Sequence, residues 1–127
     1  MRIDHMAVYV KDLEKMREFY QKYFGGVSGE RYHNEKTGLM TYFLSWDGEP
    51  RLELMTRPGL NEKDAESLIC GYAHLAFYAG SRKQVDEWTA ELLKAGYHIV
   101  SGPRVTGDGY YESCVLDPEG NQIEIVE

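Results

Sequence analysis

The chain has 127 residues, 43% of them hydrophobic and 28% charged, with a formal net charge of −7. That length suits one domain with its own core, and the composition excludes a disordered chain. The acidic balance weighs against nucleic acid, because phosphate binding rests on Lys and Arg neutralising a polyanion.

Residues 3–10 carry β-branched and aromatic side chains at a period of two, which predicts a strand. The N-terminal Met1-Arg2-Ile3-Asp4 runs straight into that pattern and is not expected to be a signal peptide. Asp12 can cap a helix whose apolar stripe is Leu13, Met16, Phe19, Tyr20 and Tyr23, stopped by Gly25-Gly26. Residues 27–33 predict a second strand. A polar turn over 34–38 precedes a third strand over 39–46, and Asp47-Gly48 signals a hairpin returning as a fourth strand over 51–56. Residues 58–67 are polar and contain Pro58-Gly59, as a connector with a short helical piece would.

The series then repeats. A strand is predicted over 72–79. Ser81 is an N-cap candidate, and Val85, Trp88, Leu92 and Leu93 make the next helical stripe before Ala95-Gly96. Strands over 97–100, 110–116 and 122–126 follow. They are punctuated by Gly102-Pro103, by Gly107-Asp108-Gly109 and by the turn Asp117-Pro118-Glu119-Gly120-Asn121. The order is βαβββ twice. The expected fold class is α+β, with paired βαβββ modules forming a curved mixed sheet. A single domain 1–127 is expected, made of modules 1–57 and 72–127 joined by a connector 58–71. One module alone leaves an apolar sheet face and open edges, so edge-to-edge packing of the two is the expected remedy.

No apolar run nears the roughly 20 residues that cross a bilayer, so no membrane partner is expected. Cys70 and Cys114 have no Cys-x-x-Cys spacing and are expected as buried or partly buried thiols. A cytoplasmic location is the default expectation.

The repeat carries a chemical pattern. His5 in the first strand is followed 48 residues on by Glu53, and His74 is followed 50 residues on by Glu124. All four are flanked by apolar neighbours in strand-like runs, so period-two alternation lets them share one sheet face. A lone strand histidine is most often a core or edge residue. A lone strand glutamate most often faces solvent, because burying an unpaired carboxylate costs several kcal/mol or forces protonation. Two matched pairs on one expected face are harder to read as surface accidents. They make His5, Glu53, His74 and Glu124 the candidate ligands of a divalent metal. Imidazole and carboxylate suit Ni, Co, Zn, Mn and Fe(II), and the absence of a cysteine ligand argues against a closed structural zinc site. Four protein ligands on an octahedral metal leave two positions for water or a chelating small molecule. An iron oxygenase would need only His5, His74 and Glu124, and Glu53 would close its open site, which favours redox-neutral chemistry. His33, in a polar turn, is expected to be solvated, and His98 carries little signal. Tyr42, Tyr110 and Tyr111 are candidate pocket liners.

The chain resembles the vicinal oxygen chelate superfamily, the group of glyoxalase I, bleomycin-resistance and ring-cleaving dioxygenase proteins. The resemblance covers essentially the whole chain. It rests on the opening His5 strand, the Val10-Lys11-Asp12-Leu13 entry into the Phe19-Tyr20 helix, the Gly71 to Phe77 strand, and the turn over 117–121 leading to Glu124. It implies a glyoxalase-like fold and usually a homodimer, with a small-molecule substrate. His/Glu/His/Glu is similar to the metal set of glyoxalase I enzymes, where the metal is commonly nickel, zinc or cobalt. The activity so implied converts the hemithioacetal of a 2-oxoaldehyde and a thiol into a 2-hydroxyacyl thioester. A Lewis-acid metal would polarise the substrate oxygens while a glutamate moves a proton between neighbouring carbons. By matching position, Glu124 is the first candidate for that base and Glu53 the second.

Two positions depart from the glutathione-dependent pattern. Four residues after His5 that family typically has Arg, and here it is Tyr9; four residues after Glu53 it has Asn, and here it is Arg57. Arg57 could still hold an anion through its planar fork, so Tyr9, Arg57, Tyr42 and Tyr110 are the candidate substrate contacts. The competing readings are an acyl-coenzyme A epimerase with enolate chemistry, a metal-free small-molecule or antibiotic-binding protein, a fosfomycin-type thiol transferase and a dioxygenase. The four polar residues would be unexplained in the binding protein, and Glu53 is surplus to the last two.

Overall fold

A computed structural model of the chain describes residues 3–61, 72–107 and 109–127. The chain forms two compact units, Met1–Asp64 and Ala65–Glu127. Among the described residues there are two helices and nine strands.

In the first unit the elements are β1 (His5–Tyr9), α1 (Leu13–Phe24), β2 (Val27–Ser28), β3 (Tyr32–His33), β4 (Met40–Trp46) and β5 (Gly48–Thr56). The sheet order is β1-β5-β4-β2, with β3 also on β4. β1 runs parallel to β5, and every other pairing is antiparallel. The second unit contains β6 (His74–Tyr78), α2 (Arg82–Lys94), β7 (Ile99–Val105), β8 (Tyr111–Leu116) and β9 (Gln122–Val126). Its sheet order is β6-β9-β8-β7, with β6 parallel to β9. Each first strand thus lies beside the last strand of its own unit, which brings a histidine near a glutamate some fifty residues away.

The helices start and stop where local chemistry dictates. The Asp12 carboxylate accepts from the Lys15 amide at the start of α1, and Gly25 ends it at φ 67°, a conformation that suits glycine. The Ser81 hydroxyl caps α2 in the same way, accepting from the Gln84 amide. One face of each sheet is covered by the helix of its unit. Met16 and Tyr20 of α1 are buried, as are Val10, Leu44 and Leu54; Val85 and Leu92 of α2 are buried, as are Val115, Ile123 and Ile125. Each such side chain contributes about 1.5–3 kcal/mol by leaving water. The open face of each sheet is therefore where the chain can place polar groups.

Four local expectations are revised. The strand expected over 27–33 is two short strands. Val27 pairs with Ser45 and Ser28 with Leu44, but Tyr32 pairs with Thr41, a register one residue out of step. Leu93 is exposed, and Thr89 takes its place on the buried stripe of α2, its hydroxyl 2.6 Å from that of Ser113. β7 begins at Ile99 and runs through Gly102-Pro103 to Val105. Gly102 permits this at φ 84°, because a Cβ there would run into the Glu112 carbonyl of β8. β5 begins at Gly48, three residues before the expected strand. The connector falls mostly on 62–71, outside the described residues, as do Cys70 and Gly71. Among the described residues no helix is long and apolar enough to cross a membrane.

Candidate functional site

Parallel pairing decides what the open faces present. In the first unit Ala7 is the register partner of Glu53, and His5 lies two residues earlier on the same face. In the second unit Ala76 is the partner of Glu124, and His74 again lies two residues earlier. The small alanine leaves the carboxylate room to lean toward the histidine. The result is one local construction made twice, His-x-Ala-x-Tyr on the first strand with Glu on the last.

His5 Nε2 stands 3.7 Å from Glu53 Oε2, and His74 Nε2 stands 3.1 Å from Glu124 Oε2. Both imidazoles are 39% exposed, whereas the carboxylates are 16% and 20% exposed. Two ligands at right angles on a cation, with bonds of about 2.1 Å, lie about 3.0 Å apart, and tetrahedral ligands lie about 3.4 Å apart. The second pair already has that spacing, and the first is a few tenths of an ångström wider. The donor set of both pairs suits a divalent cation, and the second pair has the spacing as well. Among the described residues no third His, Cys, Asp or Glu joins either pair in a metal-sized cluster, so each pair is a two-donor unit.

The surroundings of the pairs differ. Asp4 Oδ2 lies 2.8 Å from His5 Nδ1 and 2.6 Å from Arg51 Nη2. The hydrogen bond with His5, then that with Arg51, holds the Asp4 carboxyl below the usual aspartate range. The Arg51 guanidinium also lies over the Phe43 ring, 4.6 Å from its centroid, and His5 meets that ring edge-on at 5.3 Å. In the second unit Ala73 precedes the histidine, and Gln122 stands where Arg51 stands in the first. The register partner of Glu124 is Cys114, at the position equivalent to Phe43. Cys114 is a free, buried thiol, 3.7 Å from Gln122 Oε1. Burial, and then the nearby Glu124 and Glu112 carboxylates, push its pKa up.

The candidate substrate contacts are dispersed. Tyr9 ends β1 on the same face as His5 and is about half exposed. Arg57 is exposed just beyond β5, and Tyr110 is exposed just before β8. Tyr42 lies on the helix side of its sheet, the side away from His5 and Glu53. It is buried, donates to Glu14 Oε1 at 2.9 Å and lies under the Arg17 guanidinium. A cleft of about 390 Å³, lined among others by Lys11, Glu14, Arg31 and Thr56, opens at the start of α1, where none of the four proposed ligands contributes to it. Sequence reasoning missed Asp4, Arg51 and Phe43. The signal for Arg51 was available, since it lies two residues before Glu53 and must share its face.

A sequence model of the Glyoxalase/Bleomycin resistance protein/Dioxygenase superfamily matches residues 2–125. The uncharacterised protein YqjT of Bacillus subtilis is 29% identical to this chain, covering 96% of this chain and 95% of its own. Among solved structures, the glyoxalase family protein from Enterococcus faecalis superposes with a TM-score of 0.83 at 22% identity, covering 99% of this chain and 97% of that one. The trypanothione-dependent glyoxalase I of Leishmania major superposes with a TM-score of 0.80, also at 22% identity, covering 100% and 86% respectively. At those identities the superpositions establish the fold, which is the expected glyoxalase-like α+β architecture.

Proposed function

The chain belongs to the Glyoxalase/Bleomycin resistance protein/Dioxygenase superfamily, and from that premise we propose that it is a metal-dependent isomerase of the glyoxalase I type. The observation that carries this reading is the His–Glu pair, built twice in the same register, with the donor atoms of the second pair at the spacing of neighbouring metal ligands and those of the first somewhat wider. His5, Glu53, His74 and Glu124 are the proposed ligands of a divalent cation, with nickel, zinc and cobalt preferred over manganese and iron by this donor set. When bound, the cation supplies Lewis-acid polarisation of two substrate oxygens.

The proton is the work of the chain itself. Glu124 is assigned as the base that takes the proton from the hemithioacetal carbon and returns it to the neighbouring carbon, giving a 2-hydroxyacyl thioester with no net gain or loss of atoms. Glu53 is the second candidate. Tyr9, on the His5 face, and Arg57, just beyond β5, are the candidates for substrate contact in the first unit; Arg57 offers its planar fork to an anionic group, and Tyr9 in the place of the family's Arg weighs against glutathione.

The test is turnover of methylglyoxal with a panel of small thiols, by protein loaded in turn with nickel, zinc and cobalt. The expected result is thioester formation with at least one thiol and one metal. Metal-loaded protein that turns over none of them, but epimerises a methylmalonyl-type thioester, would replace the isomerase with the epimerase.

A further inference from the structure

Outside the four proposed ligands, Asp4 stands out beside the first pair for reaching both His5 and Arg51. An ionised carboxylate can only accept hydrogen bonds. Asp4 Oδ2 at 2.8 Å from His5 Nδ1 therefore requires the proton of the neutral ring to sit on Nδ1. Nε2 is then a bare lone pair, and it faces the Glu53 carboxylate at 3.7 Å. Two acceptors facing each other at that distance repel unless something positive lies between them. Asp4 is itself held, with Arg51 Nη2 at 2.6 Å, and Arg51 is steadied by the Phe43 ring beneath it. Phe43 in turn meets the edge of His5, so the ring is fixed from two sides. The second unit has Ala73 in place of Asp4, and that side chain offers no acceptor to His74.

We infer that Asp4 is a positioning residue, secured by Arg51, that fixes His5 in the Nδ1–H tautomer and presents Nε2 as a ready cation ligand. Glu53 and His5 then form a preset half-site, whereas in the second unit the Glu124 carboxylate, 3.1 Å from His74 Nε2 and with no acidic residue at position 73 behind the ring, favours the opposite Nε2–H tautomer in the metal-free protein. The tautomer stands without reference to catalysis, while its value for metal capture rests on the function proposed above. A carboxylate behind a ligating imidazole orients it and raises its basicity, and losing such a partner typically weakens metal binding about 10- to 100-fold.

Nitrogen NMR of metal-free protein with labelled histidine, taken above the ordinary histidine pKa, reads the tautomer of each ring. His5 is expected to carry its proton on Nδ1, against the preference of a free imidazole for Nε2. Asp4→Ala is expected to move that proton to Nε2, and Asp4→Asn, whose carbonyl can still accept, to restore Nδ1–H in part. His74 should not change in either variant, which also reports that the fold survives. Zinc and cobalt competition titrations should show about 10- to 100-fold weaker binding for Asp4→Ala and a smaller loss for Asp4→Asn. Wild-type His5 with its proton on Nε2, or an Asp4→Ala spectrum unchanged at His5, overturns the inference. Wild-type protein that binds no metal contradicts the proposed function instead, while the nitrogen spectrum still decides the tautomer.

Discussion

The two His–Glu pairs share a register and a His-x-Ala-x-Tyr strand, and differ in the residues that flank them. In the first unit the histidine is backed by Asp4, flanked by Phe43 and ringed by a network that ends in Arg51. In the second the same positions hold Ala73, Cys114 and Gln122, and the pair is closer, at 3.1 Å against 3.7 Å. A doubled framework thus preserves the part that strand geometry dictates, namely which residues can meet. It leaves each copy free to set how rigid and how basic that meeting is. Under the function proposed above, the first pair is assigned to hold the cation and the second to move the proton.

The largest expected effect separates the two glutamates. Glu124→Gln should lower turnover about 10²- to 10⁴-fold while much of the bound metal stays. Glu53→Gln should weaken metal binding more than Glu124→Gln does, with a smaller loss of turnover at saturating metal. Steady-state kinetics and metal titration of both variants check this; Glu124→Gln within a few-fold of wild type removes it from the base role. Equal behaviour of the two variants would dissolve the distinction between the units.

A smaller effect sharpens the contrast on the helix faces. Tyr42 and Ser113 hold equivalent register positions, next to Leu54 and Ile125. Ser113 is fully buried against the Thr89 hydroxyl, whereas Tyr42 donates to Glu14, a carboxylate 46% exposed and also paired with Arg17. Ser113→Ala should cost about 1 kcal/mol by denaturant unfolding, and Tyr42→Phe less. Burial, then the bond to Glu14, raises the Tyr42 pKa. Its contribution is therefore complete below the ordinary phenol value of about 10 and is lost as pH rises through the raised value. Tyr42→Phe should remove that alkaline loss, and Ser113→Ala should leave it in place.

The smallest effect is chemical. In a Cys70→Ser background, Cys114 should alkylate with a pH midpoint above that of a free thiol, since its pKa is raised. Glu124→Gln should bring the midpoint down and Glu53→Gln should not move it. The rate of iodoacetamide labelling against pH in metal-free protein reads this directly.

Much of this was legible in the chain. The caps at Asp12 and Ser81, the stop at Gly25 and the final strand over 122–126 follow from local rules, and each stands where those rules place it. The pairing of His5 with Glu53 and of His74 with Glu124 was legible because the order βαβββ repeats and strand side chains alternate. What was hidden depended on register. The one-residue slip that splits β2 from β3 has no signature in composition. The passage of β7 across Gly102-Pro103 rests on a missing Cβ opposite a carbonyl, which only the paired strand reveals. Leu93 reads as apolar stripe by spacing, yet Thr89 is buried because Ser113 lies opposite to receive its hydroxyl. Asp4 shows nothing in sequence beyond its place beside a histidine; its meaning appears only when β5 carries Arg51 alongside.

The most direct test is the metal content of protein purified without added metal, measured beside His5→Ala and His74→Ala. The account predicts one divalent cation per chain in the wild type, and loss of most of it in both variants, the preset His5 half-site being hit hardest. Wild-type protein that neither retains nor takes up a divalent cation, or variants that bind it as well as wild type does, would contradict the account.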